Sequence, residues 1–188
     1  MKSFNNQIIN GVNHQVEILE LADYESCTFS NCDFSKVNLT KIKFIDCDFN
    51  DCNFSEVIIN DTFFQEVRFV ACKMMGLHFD NCNDFGFQVC FEACILNYSS
   101  FFKVRLINTT FDNCKLVDVD FSEADLTNAL FDNCDLTNAL FDRSVLLKTN
   151  FKTAYNYSID PENNKIKGAQ FSLPEVTGLL NKYSISIG

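Results

Sequence analysis

From Tyr24 to Phe151 a large apolar residue returns every five positions, as in Phe29, Phe34, Leu39, Phe44, Phe49 and Phe54. A small or β-branched residue stands two places before each of them, as in Cys27, Cys32, Val37, Ile42, Cys47 and Cys52, and the other three positions of the unit are mostly polar. An amphipathic helix repeats every 3.6 residues and a half-buried strand every 2, so neither accounts for a beat of five. A beat sustained over most of a chain marks a repeat architecture.

If each unit is one side of a coil and ends in a corner, four units close a square of 20 residues. Steps of 20 then link Phe29, Phe49 and Phe69, and later Phe91, Phe111, Phe131 and Phe151. The same steps link Cys32, Cys52 and Cys72, then Cys94, Cys114 and Cys134. A third column holds Leu39, Ile59 and Phe79, then Phe101, Phe121 and Phe141. All three keep register if the one break in the pattern, Cys82 to Val89, adds two residues, which predicts a corner bulge within Asn83–Gln88 on the fourth side. The expected fold is all-β, a parallel β-helix. About six and a half coils at roughly 4.8 Å each make a rod near 31 Å long.

Such a rod exposes unpaired backbone at both ends unless it is covered. Three segments follow: 1–23 as an N-terminal cap strand, 24–151 as the β-helix, and 152–188 as the C-terminal cap. In the first, Val16, Ile18 and Leu21 alternate against Glu17 and Glu20. In the last, Tyr155 to Lys167 reads as irregular, and Ser172-Leu173-Pro174-Glu175 as a capping box that starts a short helix running to about Lys182. Leu173, Val176, Leu179 and Leu180 give that helix an apolar stripe, and Tyr183, Ile185 and Ile187 alternate as a terminal strand.

The run Ala124-Asp125-Leu126-Thr127-Asn128, followed by Ala129-Leu130-Phe131-Asp132-Asn133 and Cys134-Asp135-Leu136-Thr137-Asn138, resembles the pentapeptide repeat family. The resemblance implies a right-handed quadrilateral β-helix, a hand that agrees with the general preference of parallel crossovers. Within that family Phe64 to Gly76, Cys94-Ile95-Leu96-Asn97, Phe171 to Glu175 and Leu179-Leu180-Asn181 are similar to albicidin-resistance members, which act on DNA gyrase, as quinolone-resistance members do. The resemblance therefore implies a cytoplasmic, non-enzymatic DNA mimic that binds DNA gyrase or another topoisomerase and modulates its inhibition or poisoning in drug resistance. It also implies a tail-to-tail homodimer through Leu173, Val176, Leu179, Leu180, Tyr183, Ile185 and Ile187. Quinolone-resistance relatives carry long projecting loops, whereas this chain has only the bulge near Asp84, so the albicidin type is the nearer expectation. The alternative is a structural scaffold module that binds another protein, which the repeat pattern permits equally well.

Catalytic chemistry is nearly absent from the sequence. Of two histidines, His14 lies in the leader and His78 at an outward position, and both read as surface or cap residues. No phosphate loop, dinucleotide fingerprint or nucleophile elbow occurs. Asp84-Phe85-Gly86 spells a kinase triplet without the glycine loop, strand lysine and catalytic loop that give it meaning. Nine of ten cysteines take the small inward site, and Cys90 precedes Phe91. Their spacings of 5, 15 and 20 lack the CxxC pairs of a zinc site, and stacked parallel Cβ vectors do not face each other as a disulfide requires. Reduced, buried thiols are expected, with no metal and no cofactor. No apolar run reaches the roughly 20 residues of a membrane span, and Met1 to Asn6 lacks a signal region.

Charge changes the picture more. The net value is −10, which opposes direct nucleic-acid binding, since that depends on Lys and Arg displacing counterions. Between Thr110 and Asp142 eight acids face Lys115 alone, −8 plus 1, or −7. Solubility is one explanation; the other is an acidic strip that offers duplex-like charge to a DNA-binding protein. The candidate strip is the column Glu92, Asp112 and Asp132, widened by Asp118, Asp120, Glu123, Asp125, Asp135 and Asp142.

Overall fold

The computed structural model describes residues 2–186. Thirteen short strands follow the chain: β1 (Lys2–Asn5), β2 (Ile8–Asn10), β3 (Ala22–Glu25), β4 (Thr28–Ser30), β5 (Lys43–Ile45), β6 (Asp48–Asn50), β7 (Phe63–Gln65), β8 (Val67–Val70), β9 (Val89–Glu92), β10 (Thr110–Asp112), β11 (Leu130–Asp132), β12 (Asn150–Phe151) and β13 (Gln170–Phe171). One side of the rod stacks nine of them in the order β13-β12-β11-β10-β9-β8-β6-β4-β2, and a second side stacks β1-β3-β5-β7. Every pairing is parallel. Phe29 lies beside Phe49 and Phe111 beside Phe131, steps of 20, while Phe69 lies beside Phe91, a step of 22. The two extra residues fall where the pattern breaks, and β7 is the last strand of its sheet. The result is the parallel β-helix that the repeat predicts, in the right-handed quadrilateral form that the resemblance implies.

Nearly all inward positions are buried and form one continuous core, with Cys82 and Val104 only half-buried against it. Within a column the phenylalanine rings stack, as in Phe29 over Phe49 at 4.8 Å and 9°. Between columns they meet edge to face, as in Phe49 and Phe54 at 5.2 Å and 75°. Both are arrangements that the ring quadrupole favours. The small inward site has a chemical rule of its own. Where it holds Cys, Ser or Thr, the side chain commonly donates to the carbonyl of a large residue one coil earlier, as the Cys52 thiol does to Phe29 at 3.5 Å and the Thr62 hydroxyl to Leu39 at 2.9 Å.

The corners explain the polar positions. The second residue after nearly every large inward one has positive φ, as at Asn108 (61°), Asn128 (58°), Asp118 (55°) and Glu123 (56°). Asn tolerates this left-handed region best among residues with a side chain. The residue just before the large one supplies an Asx turn: Oδ1 of Asp125 accepts both the N–H (3.0 Å) and the hydroxyl (2.6 Å) of Thr127. In Ala-Asp-Leu-Thr-Asn each residue type thus has its own place: small inside, turn acceptor, large inside, turn donor, left-handed corner.

The bulge holds its shape through Gln65, whose side-chain amide donates to the Phe85 carbonyl at 2.9 Å. Gly86 sits there at φ 67°, where a Cβ would lie 2.9 Å from that same amide nitrogen.

The ends differ from expectation. Helical coiling begins at once: β1 and β2 pair with β3 and β4 at steps of 20, Lys2 beside Ala22 and Ile9 beside Phe29. Val16, Ile18 and Leu21 belong to no strand and are exposed. Apolar alternation there does not make a strand, because the preceding residues already fill the sheet positions. At the other end the coils run on to Phe171, which pairs from β13 with Phe151, and Tyr157 and Ile159 are buried although their segment is irregular. Nine strands leave eight intervals, so the rod is about 38 Å long at roughly 4.8 Å each. The expected tail helix is instead two 3₁₀ turns, Val176–Leu179 and Asn181–Tyr183. Tyr183 lies in the second of these rather than in a strand, Ile185 is in no strand, and Ile187 lies outside the described residues.

Candidate functional site

The structure brings three of the nine candidate acids together. Asp112 pairs in register with Glu92 on one side and with Asp132 on the other, each one residue after a buried phenylalanine and therefore facing out. The other six are spread around the rod. Asp135 flanks the sulfur column, Asp118 lies at the corner beyond it, Asp120, Glu123 and Asp142 belong to the unit of Phe121 and Phe141, and Asp125 belongs to the fourth side. They make a negative girdle rather than a strip.

Their chemical states differ too. The Glu92 carboxylate is bound by Arg68 at 2.5 Å. Glu123 meets Arg143 at 3.0 Å and Lys103 at 3.5 Å, and Asp142 meets Arg143 at 3.1 Å as well as the Asn163 amide. Asp120, Asp125 and Asp135 are turn acceptors for Ser122, Thr127 and Thr137. At Asp135 partial burial raises the carboxyl pKa, but bonds from Thr137 and Asn156 outweigh it and hold the group below its ordinary value. Asp112, Asp118 and Asp132 have no ion-pair partner among the described residues; Asp132 accepts from Thr153 at 2.6 Å and Asp112 from the Asn113 amide at 2.7 Å. Outside ion pairs and turns there remain Asp112 and Asp132, each half-exposed and holding one side-chain hydrogen bond, with exposed Asp118 one corner away.

The tail residues fall into two groups. Leu173, Tyr183 and Ile185 are exposed, while Val176, Leu179 and Leu180 are half-buried, with Leu179 packed on the core.

All ten cysteines are free, and eight are buried; Cys82 and Cys90 are half-buried. Burial pushes the Cys47 thiol up to about 12. Among the described residues no three His, Cys, Asp or Glu side chains converge as a metal site would need. His78 is exposed, 3.4 Å from Asp80. Of the two readings of His14, surface or cap, the structure takes the second: it is buried and stacks on Phe34 at 4.5 Å. The signal for it was available, since residue 14 precedes Phe34 by one coil. No described helix is long and apolar enough to cross a membrane.

The pentapeptide repeat region model matches residues 22–84 and 87–171, the gap between them being residues 85 and 86 of the bulge. The chain belongs to the pentapeptide repeat family. No curated protein matches it in sequence. Among solved structures, a trypsin-treated variant of QnrB1, a plasmid-mediated fluoroquinolone resistance protein, aligns at 18% identity over 98% of this chain and 99% of that one, with a TM-score of 0.50. A second trypsin-treated variant gives 18%, 99%, 100% and 0.49. HetL, a pentapeptide repeat protein involved in heterocyst differentiation regulation from the cyanobacterium Nostoc sp. strain PCC 7120, aligns at 14% over 90% and 86% with a TM-score of 0.45. At these identities the likeness is one of fold.

Proposed function

We propose that this pentapeptide repeat protein is a non-enzymatic docking module that presents Asp112, Asp132 and Asp118 to a DNA-binding protein of the DNA gyrase class, in place of DNA phosphates, and so modulates that enzyme's inhibition or poisoning. The observation that carries the reading is the in-register pairing of Asp112 with Asp132 on a stiff sheet. Parallel strands set such charges about 4.8 Å apart, against about 3.4 Å along one DNA strand. Both spacings are well inside the Debye length of about 8 Å at physiological salt, so a cationic groove meets either as a continuous negative line. Charge of this kind governs encounter rate and salt dependence. The resemblance to gyrase-acting members supports the choice of partner, and the short bulge favours the albicidin type over the quinolone type.

One observation favours the alternative, a scaffold for another protein. Asp120, Asp125 and Asp135 shape turns, so part of the acidity is structural. A supercoiling assay on gyrase, with and without albicidin or a quinolone, separates the two. Protection or inhibition by the wild type should weaken in the triple variant Asp112→Asn, Asp118→Asn, Asp132→Asn and at higher salt. An absence of binding and of any effect at micromolar protein rejects the gyrase reading and leaves the scaffold.

A further inference from the structure

The bulge at 83–88 leaves the backbone ladder of the fourth side incomplete. It hangs on the coil before it, where the N–H groups of Asn83 and Gln88 bond the carbonyls of Thr62 at 3.0 Å and Phe64 at 2.9 Å. Among the described residues no backbone bond joins it to the coil after it. On that later coil the N–H and C=O of Arg105 and the C=O of Ile107 therefore have no backbone partner. Their counterparts one coil on are all paired: Asp125 donates to Val104 at 3.0 Å and accepts from Leu106 at 2.7 Å, and Thr127 accepts from Asn108 at 3.0 Å. The three unpaired groups are what one edge of a parallel strand presents to its neighbour, and folded proteins normally pair or cover such groups.

A groove of about 1000 Å³ opens at this edge, with Arg105 and Ile107 in its wall. It cuts down to the core. Between Ala22 and Ile159 the core side chains that are only partly buried are Cys82, Phe87 and Val104, and all three line the groove. Around that apolar floor stand Asp46, Asp48, Asp61, Glu66, Asp80 and Asp84 against Arg68, Lys103 and Arg105, −6 plus 3, or −3. Two of the three cations are already held by carboxylates outside the groove, Arg68 by Glu92 and Lys103 by Glu123. An open strand edge, an apolar floor and an acidic wall thus meet in one place.

We propose that this groove takes an extended, cationic peptide segment of a partner protein, added as a parallel strand against Arg105 and Ile107. Strand addition draws affinity from main-chain bonds and specificity from pockets for alternate side chains. In the register of the other coils, an inward apolar residue of the peptide donates its N–H to the Arg105 carbonyl, as Leu106 does to Asp125. Its side chain then enters over Cys82 and Val104, and a Lys or Arg on either side of it faces the carboxylates of the wall. None of Asp112, Asp118 and Asp132 lines the groove, so this occupant and the gyrase reading stand or fall separately.

Fluorescence anisotropy of the whole chain with the labelled peptide Lys-Thr-Lys-Leu-Lys-Thr-Lys tests it. Saturable binding is expected, weakened at least about tenfold when the leucine amide is N-methylated or the leucine replaced by asparagine. Glu66→Lys in the wall should weaken it as much, while Glu56→Lys, which changes the net charge equally but lies outside the groove, should leave it intact. Both positions are exposed corners of positive φ, a place that Lys36, Lys41, Lys103 and Lys148 already fill, so circular dichroism and the melt should not change. An absence of saturable binding up to millimolar peptide overturns the proposal. So does an equal loss in Glu56→Lys or undiminished binding of the N-methylated peptide, which would mean attraction to the acidic rod at large. Self-association of the protein alone that Glu66→Lys abolishes, read by sedimentation velocity, also overturns it and gives the groove to a second copy.

Discussion

Phe111 and Phe131 stack with ring centroids 4.9 Å apart and planes inclined by 1°, and each ring also meets a phenylalanine of the next column edge to face, Phe121 lying 5.8 Å and 5.6 Å from them. A ring held on three sides by rings cannot be replaced by collapse of its neighbours. Phe111→Ala should therefore cost about 3–5 kcal/mol, while Asp112→Asn, one residue along but facing out, should stay within about 0.5 kcal/mol. Urea unfolding of both variants checks this; equal losses would mean that the inward and outward registers are wrong.

The thiols should be inert in the folded chain. A reagent must reach the sulfur and meets its reactive form, the thiolate; eight of the thiols are buried, and burial also pushes Cys47 up to about 12. A thiol reagent at mildly alkaline pH should modify half-buried Cys90 first and Cys82 more slowly, and reach the other eight only on denaturation, as read by mass spectrometry of digested peptides. Cys52→Ser should cost no more than about 1 kcal/mol, because the hydroxyls of Thr62 and Ser144 already fill the same site and donate to the preceding coil at 2.9 Å.

His14 gives stability a pH dependence. Burial lowers its pKa below the ordinary 6.5, against opposing contributions from the Glu17 carbonyl, the Glu17 carboxylate and Asp33. Below about 6.5 the unfolded chain therefore binds a proton that the folded chain refuses, and stability falls as pH drops from there towards the folded-state pKa. His14→Phe extends the Phe34 column by one ring and removes the ionisable group. Thermal melts at a series of pH values should show a higher Tm for the variant and a wild-type decline below neutrality that the variant loses.

Gly178 closes the C-terminal end only because it has no side chain. A Cβ there would lie 2.2 Å from the Tyr157 carbonyl oxygen and 2.9 Å from its ring. Gly178→Ala should displace the Val176–Leu179 turn and cost about 1–3 kcal/mol. Hydrogen exchange should locate the loss: protection falls at Ile159, whose N–H bonds the Gly178 carbonyl, and holds at Phe111.

The period of five, the 20-residue coil and the two-residue bulge were all legible in the sequence, because a solenoid puts the same demand on every fifth residue and each coil contacts only its neighbours. Phe29 over Phe49 and Phe69 beside Phe91 follow from counting alone. What happens at the ends does not, since there the repeat stops and no neighbour dictates the residue. Thus Val16, Ile18 and Leu21 alternate without forming a strand, and the expected helix is replaced by 3₁₀ turns, the first of which sets Gly178 against Tyr157 and leaves Leu173 exposed. The acidic site divides on the same line. That Asp112 neighbours Asp132 is arithmetic, but which carboxylates remain free depends on side chains arriving from other coils: Arg68 on Glu92, Arg143 on Glu123 and Asp142, Thr137 and Asn156 on Asp135. A side chain's partner is set by corner geometry and reach in three dimensions, which a one-dimensional period does not encode.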